Sequence, residues 1–506
     1  MDAALLFPPQ WYFAAVPADL SHSAGSLVAR GHTVYAWDGS AALLHHHLGK
    51  HPAFQAYQSE RTFPNPVAHA AAEDALYQQT RALGVRFGCD WGPRHLRFPD
   101  IDEAHVPRAL ERGRDPFRNP ALPLLQQAAR EVLALEPTVI AIALVHPDQR
   151  VQALTLASLL RPHHRRIVLY GCLEDVLAPT DFAPSLLGQH ALFDLFDGVV
   201  LGDADDALLA LCDPTVAVRD APNTLVSGAS ALPPRVRQAL DAVPDFSHVR
   251  AEHHLAPTPV IDLRLGRGCP WGRCRFCGIQ AHHPGYRAGT VDRVVQGMRA
   301  AHEALGSTVF RVRDDLLTPR QLAELAAHTA SLPFRPRWMA RARFTSGLTE
   351  SVLRSAHAGG LEELWLGLES AVPRVRDAMD KGVPQGVVLR VLEATARVGI
   401  RVRLLCMVGY PGETEAEARQ TVEFLRSHPT AAFSVTPFME VRAAPLSQAE
   451  APRDPSRIDH VVPRATPDWL RPVLDEAVAL GVSRTTPGPD PVHRWLSALP
   501  PGRLQP

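Results

Sequence analysis

The sequence predicts an α/β protein in which an N-terminal doubly wound parallel sheet is followed by a partial (β/α)6 barrel of the TIM type. Two observations lead to this prediction. Strand-like apolar runs alternate with helical patterns over about residues 1–210, and six further strand-like runs, the first five each followed by a helical pattern, occupy about residues 255–450. Such alternation is typical of parallel sheets covered by helices.

The strand candidates of the first half are short and apolar. They are ALLFPPQ, TVYAWDGS, PTVIAIALVHPDQ, RRIVLYGC and the start of FDGVVLGDADDALLAL. Runs such as VIAIAL are apolar throughout, as expected of strands buried on both faces. Helical patterns occur in ADLSHSAGSLVARGH and VQALTLASLLRPH, and a polar, proline-rich stretch separates the second strand candidate from the third. Open α/β sheets bind ligands beyond the carboxyl ends of their strands, which here carry PPQW, VHPDQ, YGCLED and GDADD.

The strand candidates of the second half are PVIDLRLG, STVFRVRD, RWMARAR, LEELWLGLE, RVRLLCMVG and AAFSVTPF. Between the first two, one helical face carries Val291, Val294, Val295, Met298 and Leu305, with Thr290 as its N-cap. We therefore predict four segments: a domain at 1–220, a linker at 221–254, the barrel at 255–450 and a proline-rich tail at 451–506. One helix of the tail, DWLRPVLDEAVAL, is expected to dock on the barrel.

Composition excludes several protein classes. The 506 residues are 46% hydrophobic and carry a formal net charge of −1, so we expect neither a nucleic-acid nor a membrane-surface partner. No apolar run reaches the roughly 18 residues of a membrane span, and the N-terminus does not resemble a signal peptide, so we expect the cytoplasm. Seven cysteines argue against a disulfide framework. We interpret Cys89, Cys172, Cys212 and Cys406 as small buried hydrophobic residues.

The other three cysteines lie together in RGCPWGRCRFCG, residues 267–278. Cys269, Cys274 and Cys277 have the spacing C-x4-C-x2-C, just after the first barrel strand, where active residues of such barrels lie. One interpretation is structural zinc, with His282 as a fourth ligand. The other is a 4Fe–4S cluster, in which three thiolates bind three irons and leave the fourth iron open to a substrate. The position at the barrel mouth favours the cluster.

This cysteine run resembles the signature of radical S-adenosylmethionine (SAM) enzymes. The usual spacing in that family is C-x3-C-x2-C, so this chain has one extra residue, a variant similar to that of relatives with a cobalamin-binding domain. The resemblance implies a SAM site at the barrel mouth. By matching the family's motifs in VRDDLLTP, GLES and MVGYPGET, it assigns SAM contacts to Phe276, Asp314, Arg343, Glu369, Val408 and Gly409. The resemblance places Asp314 at the SAM amino group, Glu369 near its ribose or methionine end, and the backbone of Val408 and Gly409 beside adenine.

The N-terminal half resembles the Rossmann-like cobalamin-binding domain of the same enzymes, through LLFPPQW, VHPDQ and GDADDAL. The resemblance implies that cobalamin is bordered by Pro9, Gln10, His146, Asp148, Gln149, Gly171 and Gly202. Two departures are present. The motif D-x-H-x-x-G, whose histidine binds cobalt in mutases, is missing, and Gly171-Cys172 stands where relatives often have two glycines.

The resemblance implies an enzyme that cleaves SAM reductively to a 5′-deoxyadenosyl radical and methylates a carbon centre through methylcobalamin. Alternatives are a rearrangement, cyclisation or redox reaction with the same cofactors, and a zinc-stabilised binding protein without activity. A methylthiotransferase would carry a second cysteine trio, and Cys89, Cys172 and Cys212 are too dispersed to form one. We expect a small-molecule or peptide substrate, and an external electron donor such as a flavodoxin, because the chain has one cluster motif.

Overall fold

The structure is a computed structural model. It describes residues 1–10, 15–59, 65–93, 95–101, 105–164, 166–171, 190–230, 240–283, 285–428, 432–441, 444–450, 461–462 and 467–479.

The N-terminal half is built around a six-stranded sheet with the order β3-β1-β6-β7-β8-β9. The first five strands are parallel and β9 is antiparallel to β8. The strands of this half are β1 (Ala3–Phe7), β2 (Ala15–Val16), β3 (Val34–Asp38), β4 (Asp90–Gly92), β5 (His95–Arg97), β6 (Val139–Ala143), β7 (Ile167–Tyr170), β8 (Gly198–Val200) and β9 (Thr224–Leu225).

Alternate side chains along the strands of this sheet belong to two hydrophobic cores, one on each face of the sheet. Leu6 and Ile140 belong to one core, whereas Leu5 and Ala141 belong to the other. The sheet is therefore covered on both faces, as predicted for a doubly wound fold. Its helices are α1 (Ala18–Val28), α2 (Gly39–Leu48), α3 (Pro52–Gln58), α4 (Pro66–Phe87), α5 (Val106–Arg114), α6 (Leu122–Ala134), α7 (Arg150–Leu160), α8 (His190–Phe193) and α9 (Asp205–Leu211).

The second half is built on a seven-stranded parallel sheet with the order β17-β16-β15-β14-β13-β10-β2. Six of these strands are the six predicted runs, and the seventh is β2. The strands of this half are β10 (Val260–Leu263), β11 (Gly266–Arg267), β12 (Arg287–Ala288), β13 (Val309–Leu317), β14 (Arg337–Ala342), β15 (Leu361–Glu369), β16 (Arg401–Val408), β17 (Ala432–Pro437), β18 (Glu440–Val441) and β19 (Val461–Val462).

Helices follow the barrel strands in the expected rhythm. They are α10 (Ile279–His282), α11 (Val291–Leu305), α12 (Pro319–Thr329), α13 (Glu350–Ala358), α14 (Pro373–Ala378), α15 (Gln385–Val398), α16 (Glu415–Arg426), α17 (Pro445–Glu450) and α18 (Leu470–Ala479). Helix α11 buries Val294 and Met298 on its predicted face, and the Thr290 hydroxyl accepts a hydrogen bond from the Arg293 amide. Helix α18 packs Leu470 and Val473 into the barrel core. The predicted fold class is confirmed.

Two short strands lie outside the segments to which the sequence assigned them. Ala15 and Val16 of β2 pair with β10 of the barrel sheet, although they precede α1 of the first half. Thr224 and Leu225 of β9 extend the first sheet from within the predicted linker. In the described part of the chain, no helix combines the length and the apolar composition that crossing a membrane requires.

Candidate functional site

The three clustered cysteines lie in a loop closed at its base by a small hairpin. Strands β11 and β12 pair in antiparallel fashion, with Arg267 opposite Arg287, and the cysteine run lies between them. Within the loop, the Cys277 amide donates to the carbonyl of Cys274 at 3.2 Å. The Gln280 side chain donates to the carbonyl of Cys269 at 3.2 Å. These contacts fold the run into a turn beyond the carboxyl end of β10.

The cysteine loop forms one wall of a cavity of about 680 Å³ at the mouth of the barrel. All three cysteines line this cavity, and so do the sequence-predicted residues Phe276, Arg343 and Glu369. Further lining residues include Trp271, Asp315, Arg341, Trp365 and Lys381. The structure thus gathers six sequence-predicted residues around one space, with contributions from β13, β14 and β15.

The three thiols suit a cluster better than a single metal ion. Burial raises the pKa of Cys274, and it raises that of Cys277 to about 12, so these thiols lose their protons to a bound metal rather than to water. Among the side chains that the structure describes, no three His, Cys, Asp or Glu residues are close enough to share one ion. A cubane does not require this, because each cysteine binds a different iron. The side chain of His282 is not among those described.

Opposite the cysteines, Glu369 forms a buried ion pair with Lys381. The Lys381 Nζ donates to Glu369 Oε1 at 2.7 Å, and both side chains are about nine-tenths buried. Burial alone would lower the pKa of Lys381, but Glu369 and Cys274 outweigh it and raise that pKa. Gly367 makes room for the pair, because a Cβ there would lie 2.5 Å from Glu369 Oε1 and 2.7 Å from Lys381 Nζ.

Arg343 links the cysteine loop to the segment after β15. Its guanidinium lies 3.6 Å from the centre of the Trp271 ring and donates to the carbonyls of Lys381 and Gly382 at 2.5 and 2.6 Å. The Trp271 indole N–H donates to the carbonyl of Asp380 at 3.2 Å. This contact set, absent from the sequence prediction, holds Trp271 and the loop against residues 380–382.

Two adjacent aspartates within β13 have different surroundings. Asp314 is 2% exposed and accepts hydrogen bonds from the amides of Leu265 and Gly266 at 2.8 and 2.5 Å. Burial raises its pKa to about 6. Asp314 therefore supports the start of the cysteine loop and does not line the cavity, whereas the exposed Asp315 does. The contact with the SAM amino group that the resemblance assigned to Asp314 stays a prediction.

The segment after β16 is organised around Glu413. Its carboxylate accepts hydrogen bonds from the amides of Gly409 and Tyr410 at 2.6 and 3.2 Å. Burial raises the pKa of Glu413 to about 7. Neither Val408 nor Gly409 lines the cavity, and the amide of Gly409 is already bonded, so their predicted role beside adenine stays a prediction.

Below the cavity, the barrel lumen is rich in charge instead of branched apolar side chains. Asp262 accepts two hydrogen bonds from Arg311, at 2.6 and 2.5 Å. Glu363 accepts from the Trp365 indole at 2.6 Å. The lumen group consists of two acids and five arginines: Asp262, Glu363, Arg311, Arg313, Arg341, Arg401 and Arg403. Within this group, positive charges exceed negative ones by three.

The predicted cobalamin residues lie at the carboxyl edge of the first sheet, where two buried glutamines are bonded within the protein. Gln10 donates to the carbonyls of Gly92 and Pro93 at 3.1 and 2.6 Å and accepts from the Trp91 indole at 2.8 Å. Gln149 accepts from the amides that follow β6 and donates to the carbonyl of Pro8 at 2.7 Å. The side-chain amides of Gln10 and Gln149 thus fix the loops of this edge, and their hydrogen bonds are made within the protein.

The remaining predicted residues of this edge differ in what they offer a ligand. Asp148 is paired with Arg97 at 3.0 Å, and burial lowers the pKa of the neighbouring His146. Gly171 and Gly202 have positive φ angles and line a cleft of about 40 Å³ between the two halves. The glycine ends of this edge border only that small cleft, whereas Pro9 is buried beside Gln10. Cys172 lies outside the described residues.

Sequence reasoning missed Lys381, Trp271 and Asp315. The composition could have drawn attention to Lys381, because only two of the chain's 52 Lys and Arg residues are lysines. The other lysine is Lys50. Trp271 lies within the cysteine run itself.

Comparison with known proteins identifies the second half. Residues 263–425 match the family model described as Radical SAM superfamily. An uncharacterized methyltransferase of Pyrococcus horikoshii is 24% identical over 167 residues, which cover 32% of this chain and 36% of that protein. A ribosomal protein uS12 methylthiotransferase RimO of Chlorobium phaeobacteroides is 26% identical over 34% of this chain and 42% of its own length.

A bacteriochlorophyllide d C-12(1)-methyltransferase of Chlorobaculum tepidum is 30% identical over 145 residues, which cover 28% of this chain and 31% of that enzyme. The matches thus span less than half the length of each of these three curated relatives.

Two solved structures share the fold of the chain. The radical SAM methyltransferase TsrM of Kitasatospora setae, with cobalamin and a [4Fe-4S] cluster bound, matches with a TM-score of 0.56 at 13% identity, over 88% of this chain and 73% of its own. The cobalamin-dependent radical SAM enzyme OxsB, with aqua-cobalamin and SAM bound, matches with the same TM-score at 10% identity, over 88% and 60%. Residues 263–425 therefore form a radical SAM domain.

Proposed function

We propose that the protein is a cobalamin-dependent radical SAM enzyme that methylates a carbon centre of a small-molecule or peptide substrate. The observation that carries this proposal is the cavity in which three cysteines face Glu369, Lys381 and Arg343. When bound there, a 4Fe–4S cluster supplies the electron that cleaves SAM, and cobalamin supplies the methyl group.

The residues of the cavity have distinct tasks in this proposal. Cys269, Cys274 and Cys277 hold the cluster and leave one iron for the amine and carboxylate of SAM. Asp315 contacts the SAM amino group, and Glu369, held by Lys381, contacts its ribose or methionine end. Bound cofactors and substrate would complete the exclusion of water from the space where a substrate radical would form.

Support for cobalamin comes from the first half of the chain. The matches to TsrM and OxsB cover too much of the chain to be confined to the barrel. Gly171 and Gly202, beyond the ends of β7 and β8, line a small cleft at the edge where α/β sheets bind ligands. Methyl transfer is supported by the similarity to TsrM and to the relatives from Pyrococcus and Chlorobaculum, which are described as methyltransferases.

The lumen group extends the proposal to the substrate. The five guanidinium groups of the lumen attract anions, and the acids beside them, including Glu362 at 3.8 Å from Arg401, offset part of their charge. Arg313 and Arg341 of this group also line the cavity, beside Trp365, and a carboxylate or phosphate there would meet guanidinium donors suited to bidentate hydrogen bonds. We therefore propose an anionic substrate.

Methylthiotransfer is the second candidate, because the relatives include RimO proteins. It is disfavoured by the positions of the other cysteines. Cys89 packs against one core of the first sheet, and Cys212 belongs to the core on the opposite face. These two thiols cannot belong to one compact trio.

The decisive experiment follows the fate of SAM. Protein reconstituted anaerobically with iron, sulfide and cobalamin is given SAM and a strong reductant, and products are quantified by mass spectrometry. We expect both 5′-deoxyadenosine and S-adenosylhomocysteine, the latter only when cobalamin is present. Deoxyadenosine alone would favour a radical reaction without methyl transfer, and zinc without sulfide in the purified protein would favour a binding protein without activity.

A further inference from the structure

The base of the cysteine loop contains two arginines that face each other. Arg267 precedes the first cysteine by two residues and Arg287 follows the last by ten, and the two are register partners in the β11–β12 hairpin. Their side chains are only 15% and 20% exposed. Two like charges directly opposite each other on a hairpin destabilise it unless a counter-ion lies between them.

That counter-ion comes from the other half of the chain. Asp203, three residues beyond β8, has a side chain that is 7% exposed. Its Oδ2 is 2.7 Å from Arg287 Nη2, and its Oδ1 is 3.2 Å from Arg267 Nε. The Asn223 side chain donates to the backbone carbonyl of Asp203 at 2.9 Å. One carboxylate therefore holds both ends of the cysteine loop, and its own backbone is fixed to β9.

Joining the two halves does not depend on this contact. Strand β2 pairs with β10 in the barrel sheet, and Gln58 of the first half donates to the carbonyls of Glu252 and His254 at 2.9 and 2.7 Å. The core of the first sheet also includes Leu255 and Val260. If the Asp203 ion pairs served only to hold the two halves together, they would duplicate these other contacts.

We propose that Asp203 is a positioning residue for the iron–sulfur cluster, acting through Arg267 and Arg287 to fix the cysteine loop at the edge of the first sheet. The inference rests on the proposed function, since it requires a cluster in the loop. Asp203 adjoins Gly202, which lines the cleft between the halves, so the loop after β8 joins the cleft to the cluster. Movement of this loop would be transmitted to the three thiolates.

The test compares Asp203→Asn with Asp197→Asn in the full-length reconstituted protein. Asp197 is a matched control, because its carboxylate also pairs with an arginine, Arg161, at 2.8 Å, but entirely within the first half. The readouts are iron and sulfide content, the electron paramagnetic resonance spectrum of the reduced cluster with and without SAM, and the rate of 5′-deoxyadenosine formation.

We expect Asp203→Asn to retain the cluster, to change the spectrum of the SAM-bound cluster and to lower the rate roughly tenfold or more, in the range of outer-sphere substitutions at metal sites. Asp197→Asn should match the wild type. If the spectra and rates of both variants equal those of the wild type, the proposal is overturned. A wild type that binds neither iron nor sulfide would instead overturn the proposed function. If Asp203→Asn does not fold, Arg287→Gln, which breaks one half of the contact, decides with the same readouts.

Discussion

The two sheets present their carboxyl edges in different ways. At the barrel mouth, charged side chains from three strands face a cavity of about 680 Å³. At the edge of the first sheet, Gln10, Asp148 and Gln149 are bonded to nearby backbone or to Arg97, and the adjoining cleft measures about 40 Å³. A polar residue after a parallel strand is therefore a weak indicator of ligand contact, because the same chemistry also satisfies the backbone of the connecting loops.

The barrel mouth should lose its iron–sulfur cluster completely when one of its three thiols is removed. We expect Cys277→Ala to reduce the iron content from about four atoms per chain to about zero, because three thiolates hold the cluster. Cys89→Ala, which removes a half-buried cysteine of the first half, should leave the iron content unchanged. Iron and sulfide analysis after anaerobic reconstitution measures both. An equal loss of iron from Cys277→Ala and Cys89→Ala would contradict the assignment of the cluster to the barrel mouth.

The buried pair at the barrel mouth should give the next largest effect. Lys381→Met leaves the Glu369 carboxylate buried without its partner, which costs about 3–5 kcal/mol of unfolding free energy. Chemical denaturation measures this change. Lys50→Met, at the only other lysine of the chain, which is exposed, is the control and should have little effect.

The double variant Lys381→Met, Glu369→Gln separates stability from function. We expect it to regain most of the stability, since no unpaired charge stays buried, but not the binding of SAM measured by equilibrium dialysis. Full recovery of SAM binding would exclude Glu369 and Lys381 from the SAM site.

Glu413 gives a pH-dependent effect of intermediate size. Its folded-state pKa of about 7 lies above the ordinary 4.5, so its contribution to stability is complete below about pH 4.5 and is lost as the pH rises through 7. Between pH 5 and pH 8, the unfolding free energy of the wild type should fall by about 2–3 kcal/mol more than that of Glu413→Gln.

The neighbouring Glu417 is a suitable control, because its pKa is shifted in the opposite direction. Its hydrogen bond with Arg374 lowers its pKa to about 2, so both its folded and ordinary values lie below pH 5. Glu417→Gln should therefore keep the wild-type pH dependence from pH 5 to pH 8. Denaturation curves of the wild type and both variants at pH 5 and pH 8 measure the unfolding free energies. If Glu413→Gln kept the wild-type pH dependence, the effect could not be assigned to Glu413.

The smallest effect is expected at the edge of the first sheet. Gln10→Ala removes three buried hydrogen bonds and should cost about 1–3 kcal/mol, with no change in iron content. Gln127→Ala, which removes a surface hydrogen bond to Glu131, is the control. Thermal unfolding measures both. Loss of cobalamin retention without loss of stability in Gln10→Ala would mean that this edge contacts its ligand as the barrel mouth does.

The sequence predicted the six barrel strands because each is an apolar run and the first five are each followed by a helical pattern. Helix α4 was missed, since its 22 residues have little periodic separation of apolar and polar side chains and lie in a segment interpreted as polar and proline-rich. The same stretch hides the β4–β5 hairpin, whose backbone satisfies Gln10.

At the site, local pattern was sufficient for the cysteines and for Glu369 but not for their partners. Lys381 lies 12 residues beyond Glu369, and the turn between them, not the spacing, brings the two side chains together. The register of β13 against β14 shifts between Val312 and Leu317, so alternation along the strand does not determine which of the two aspartates faces the cavity.

The two-residue strand β2 has a consequence for how the protein is made. Ala15 and Val16 leave the ribosome long before β10, yet they cover its edge in the barrel sheet. A separately expressed barrel would lack this cover, and its first strand would offer unpaired backbone groups to other chains and favour aggregation. The barrel sheet is therefore completed by the beginning of the chain, which is synthesised about 245 residues before the strand that it covers.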